Sequence, residues 1–72
     1  MKQYIFDTIS DSLTAHRERH VANVRVMLAN PLAIHDHTDF IEAIIKELGH
    51  IAECTDKLEA LQLVRSRDFT FP

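Results

Sequence analysis

The chain reads as all-α, an antiparallel two-helix hairpin with an extended C-terminal tail. Three observations carry that reading. Only one Gly and two Pro occur among 72 residues, too few turn formers for an all-β domain. Two long stretches, 1–29 and 39–65, flank a single strong break at Asn30-Pro31. Apolar residues within each stretch recur at helical spacing. The whole chain, 1–72, is then one domain: a helix over about 3–29, a loop over 30–38, a helix over about 39–65 and a tail over 66–72.

The first helix gathers Phe6, Ile9, Leu13, Val24 and Leu28 on one face, with Val21 and Met27 beside them. His16, Arg17 and His20 interrupt that face in its middle, as a polar layer in a helix interface would. Thr8 and Ser10 are alternative caps for a later start. The helix ends before Pro31, which cannot continue a helix and biases Asn30 away from helical backbone.

For the second helix, Asp36, Thr38 and Asp39 are alternative N-caps, and Asp39 with Glu42 resembles a capping box. Phe40, Ile41, Ile44, Ile45, Leu48, Ile51 and Leu58 form one stripe about 140° wide, the width of a core-facing amphipathic helix. Gly49 lies on its flank, either permitting close approach of another helix or merely tolerated, at about 1 kcal/mol relative to Ala. In the tail, Phe69 and Phe71 alternate, so an extended chain presents both on one side. They either fold back over their own hairpin or form an arm that docks into a neighbour.

A lone hairpin buries only one stripe per helix. Below roughly 70–80 residues a core needs help from a disulfide, a metal or a partner. Cys54, the single cysteine, cannot close an internal disulfide. Oligomerisation into a four-helix-bundle-like assembly, or docking on a larger protein, is the expected completion. Charge is split in a way that favours pairing of unlike helices: over 13–29 Arg17, Arg19 and Arg25 stand against Glu18, and over 39–63 six acids stand against Lys46 and Lys57.

Several function classes are disfavoured. A net charge of −3 and three Arg that share no face argue against nucleic acid. No apolar run approaches the roughly 18 residues that span a bilayer. The N-terminus lacks a signal-peptide core, so secretion is not expected. No Gly-rich phosphate loop exists, and the acids near Cys54 disfavour a reactive thiolate. Neither an enzyme, a small-molecule substrate nor a cofactor is expected.

Five His in 72 residues raise the question of metal or pH. Protonating all five moves the formal charge from −3 to +2. His16 and His20 stand at i, i+4, as do His50 and Cys54, the spacing that brings two ligands to one ion. On paper this is a Cys/His₃ zinc set. The phase opposes it, because His50 and Cys54 fall on the far side of the second helix from its apolar stripe. His35-Asp36-His37 in the loop reads as a solvated turn or as a metal site at an oligomer axis. The reading adopted is no metal.

Residues 20–61 also resemble small helical proteins encoded by tailed phages of marine bacteria, including cyanophages. The resemblance rests on His20, Asn23-Val24, Leu28, Asn30-Pro31, His37, Asp39, Glu42-Ala43-Ile44, Glu47-Leu48, Ile51-Ala52-Glu53 and Asp56-Lys57-Leu58-Glu59. Those relatives usually carry glycines in the loop, whereas 32–37 here has none. The resemblance implies an origin rather than an activity. With the hairpin it suggests a non-enzymatic structural or assembly protein, sited in the virion or the host cytoplasm. It would bury its helix faces against its own copies or a larger virion protein. A phage-encoded regulatory module binding a host protein is the alternative, and a small metal-binding protein the second alternative. The expected interface comprises Phe6, Ile9, Leu13, His20, Val24 and Leu28 of the first helix, the seven apolar stripe residues of the second, and Phe69 and Phe71.

Overall fold

The computed structural model of the chain describes residues 1–30 and 37–70, apart from the side chains at 37, 38, 69 and 70. It is an antiparallel pair of helices, α1 over Lys2–Ala29 and α2 over His37–Thr70. The two pack against each other along an elongated body of 58 × 17 × 12 Å.

α1 ends where Pro31 requires. Asn30 leaves helical backbone at φ −131°, its N–H donates to the Met27 carbonyl at 3.3 Å, and its Nδ2 donates to the Val26 carbonyl at 3.1 Å. Two carbonyls of the last turn are thereby satisfied. The start needs no Thr8 or Ser10 cap, because helix already begins at Lys2 and the Ile5 N–H reaches the Met1 carbonyl at 3.0 Å. Thr8 Oγ1 instead donates back to the Tyr4 carbonyl at 2.8 Å.

α2 is longer than the apolar stripe suggests. Thr38 and Asp39 lie inside its first turn and are not its N-cap, and Asp39 adds a favourable charge at the helix N-terminus. Asp36, like His35, lies outside the described residues. At the other end the helix runs to Thr70, which corrects the extended tail over 66–70. Two ion pairs join this end to the start of α1, Lys2 Nζ to Asp68 at 3.2 Å and Arg65 to Asp7 at 3.7 Å. Phe69 therefore belongs to helical backbone and not to an extended arm. Phe71 lies outside the described residues.

The half-buried positions contain an alternation of four and three, the coiled-coil repeat, with a few half-buried neighbours on its flanks. In α1 it runs through Phe6, Ser10, Leu13, Arg17, His20, Val24 and Met27, with Thr14 and Val21 beside it. In α2 the same alternation runs from Phe40 through Ile44, Glu47, Ile51, Cys54 and Leu58 to Leu61 and Arg65. Cys54, 8% exposed, is the one buried hydrophobic residue among those described.

This seam corrects the sequence-derived orientation of α2, which is turned by about a quarter-turn of the helix. Ile41, Ile45 and Leu48 point outward at 56%, 60% and 50% exposure. The physical reason lies in α1. Its facing stripe carries Arg17 and His20 at the centre, and buried polar groups must find partners. Ile41, Ile45 and Leu48 offer none, whereas the neighbouring stripe offers Glu47 and His50.

Candidate functional site

The middle of the seam is a polar cluster built by both helices. His20 Nδ1 lies 2.5 Å from Glu47 Oε2, in a bond that leaves the two side chains 13% and 21% exposed. The ring N–H donates to the carboxylate, which fixes that tautomer. Asn23 Nδ2 donates to both oxygens of Glu47 at 3.4 Å. These donors hold the Glu47 carboxyl below its ordinary value, the His20 hydrogen bond being the largest cause and partial burial opposing it.

On its other side His20 stacks on His50, ring centroids 4.5 Å apart and planes 20° from parallel. His16 stands one turn away, its centroid 6.4 Å from that of His20 and tilted by 45°. The three imidazoles and Cys54 line one groove of about 620 Å³, with Ser12, Leu13 and Arg19 from α1 and Glu53 and Lys57 from α2. Lys57 Nζ donates to Glu53 at 2.8 Å, which lowers the Glu53 carboxyl and raises the Lys57 ammonium.

His16, His20, His50 and Cys54 therefore do meet, against the phase argument, because α2 is turned. Their arrangement is a stack rather than a ligand shell. No three His, Cys, Asp or Glu side chains among the described residues are placed to hold one ion. Parallel rings aim their nitrogens side by side, whereas a tetrahedral site needs them to converge. Nor do the described residues join Cys54 to an imidazole by a hydrogen bond, the pairing that activates a nucleophilic thiol. The groove is also unlike a small-molecule pocket, which is mostly apolar.

The expected interface residues divide in two. Phe6, Leu13, His20 and Val24 of α1 and Phe40, Ile44, Ile51 and Leu58 of α2 sit half-buried along the hairpin's own seam. Ile9, Leu28, Ile41, Ile45 and Leu48 are exposed. The side chain of Phe69, and Phe71 altogether, are outside the described residues. The stripe through Ile41, Ile45 and Leu48 continues to Ala52, also exposed, at the coiled-coil spacing of a second seam. Sequence reasoning missed Glu47 and Arg65 as seam residues, for which the signal was the four-three repeat through polar positions; Asn23, exposed beside that repeat, gave no such signal.

The chain matches no protein-family model, and no curated protein or solved structure is similar to it. Among the described residues no helix is long and apolar enough to cross a membrane.

Proposed function

We propose that this chain is a non-enzymatic assembly protein that associates with copies of itself through the outer face of α2. One observation carries the reading: α2 turns its most apolar stripe, Ile41, Ile45, Leu48 and Ala52, away from α1, its partner helix among the described residues. A contiguous exposed apolar stripe of this kind marks an interaction surface.

Area favours a second copy as the occupant. A compact monomer of 8.3 kDa exposes about 4,600 Å² by the surface–mass scaling. This chain exposes 5696 Å². The excess, about 1,100 Å², is of the size that one subunit contributes to an obligate dimer. Charge favours it too. Arg19 and Arg25 of α1 and Glu42, Asp56 and Glu59 of α2 carry no ion pair among the described residues. Each copy thus brings both halves of a complementary set, which selects partner and orientation more than it adds affinity.

The resemblance to phage proteins supports placing this assembly in a virion. A virion role requires the chain in purified particles. Its presence only in infected cells favours the host-directed alternative instead. The contact itself is tested by Leu48→Asp. A charge in a buried apolar contact costs about 2–3 kcal/mol, roughly a hundredfold in association. Sedimentation of the wild-type chain should show an oligomer that the variant dissociates. An oligomer unchanged by Leu48→Asp contradicts this face as the contact.

A further inference from the structure

We propose that the second copy docks antiparallel, about a two-fold axis that crosses both helices at the level of Val21 and Leu48, and that Arg25 of each copy pairs with Glu18 of the other. The inference rests on self-association through the outer face of α2. It adds the part of α1 that joins that face, the orientation of the neighbour and the charged contact that selects it.

The face is wider than α2 alone. The groove places Ser12, His16 and Arg19 of α1 and His50, Glu53 and Lys57 of α2 on one side of the seam. Each of the six stands one position before a seam residue or in line with that row. Residues one position after the seam therefore lie on the opposite side, because each step along a helix turns by about 100°. In α2 these are Ile41, Ile45, Leu48, Ala52 and Thr55. In α1 they are Thr14, Glu18, Val21, Arg25 and Leu28. The bonds from His20 and Asn23 to Glu47 set the register, and bring Val21 level with Leu48.

About that level the face complements itself. Ile45 and Ala52 lie on either side of Leu48, and Glu18 and Arg25 on either side of Val21. A two-fold axis across the helices lays Leu48 on Leu48, Ile45 on Ala52 and Glu18 on Arg25, the last contact made twice. Arg25 carries no ion pair among the described residues. Glu18 holds Arg17 at 3.0 Å, but its side chain is 57% exposed and open to a second cation. The other two-fold arrangement, with its axis along the helices, lays α1 of one copy on α2 of the next. Arg25 then meets Ile45, and Asp11 meets Glu59. A cation against an apolar side chain and two carboxylates face to face disfavour it. The antiparallel arrangement instead carries Asp11 and the neighbour's Glu59 about 30 Å apart. A closed two-fold pair is also the commonest form of self-association.

The test is sedimentation equilibrium of the full chain at low ionic strength, comparing the wild type with Arg25→Glu, Glu18→Arg and the double variant that exchanges the two charges. Each single variant sets like charges against each other at two places and should weaken association roughly tenfold. The double variant should return to within about threefold of the wild type. Seven residues separate Glu18 from Arg25 on one helix, so they do not touch within a chain, and recovery reports a contact between copies. It also shows that the single variants had not merely failed to fold. Single variants that associate like the wild type, in a chain that Leu48→Asp still dissociates, would overturn the antiparallel pairing and leave self-association through α2 standing. A double variant as weak as the singles would overturn the pairing too. A wild-type chain that stays monomeric overturns both.

Discussion

Glu47 is the residue on which the two helices agree. It accepts from His20 and Asn23, both on α1, and so ties α2 to α1 at the one level where the seam is polar. Its charge defines a pH window for stability. The carboxyl is held below its ordinary 4.5 in the folded chain. Its contribution to stability is therefore fully present above that value, and is lost as pH falls through the lower folded one. Glu47→Gln should lower the melting midpoint at neutral pH and flatten the loss of stability as pH falls below 4.5, both readable by circular dichroism. The spacing of His16 with His20 and of His50 with Cys54 was legible in the sequence, and the structure does bring the four together. What the sequence concealed was Glu47. On a helical wheel it counts only as an acid on the edge of an apolar stripe, and its value appears once His20 stands opposite.

At the scale of the helix, two features were legible and two were not. Asn30-Pro31 ended α1 as expected, and the helical spacing identified both elements. The orientation of α2 was not legible, because its most apolar stripe was assigned inward without weighing what α1 places opposite. A half-polar stripe faces a half-polar stripe, which leaves Ile41, Ile45 and Leu48 outside. The length of α2 was missed for a simpler reason. The alternation of Phe69 and Phe71 suggested an extended tail, yet no Gly or Pro separates Arg65 from Phe71, and the Lys2–Asp68 pair gives the last turns a partner. Exposed pairs of this kind add little stability but fix register. Gly49 offers a direct probe of α2. A Cβ added there meets nothing within 4 Å, so Gly49→Ala should stabilise the helix by about 1 kcal/mol. Denaturant unfolding measures this. If the variant instead weakens self-association, Gly49 is where the neighbouring copy comes close.

For the molecule as a whole, the difficulty is a core of one buried hydrophobic residue, Cys54, among those described. A half-buried coiled-coil seam with a polar centre leaves a chain of 72 residues close to the margin of stability. The outer stripe of α2 and the excess of exposed surface answer that difficulty if a second copy covers them. Folding and association are then one process, and stability rises with protein concentration. The most direct measurement is the absolute mass of the purified chain by light scattering, with helicity recorded on the same samples along a dilution series. The expected result is a discrete oligomer that loses helicity as it dissociates. A monomer that stays fully helical at every concentration would contradict self-association as the means by which this hairpin completes its fold.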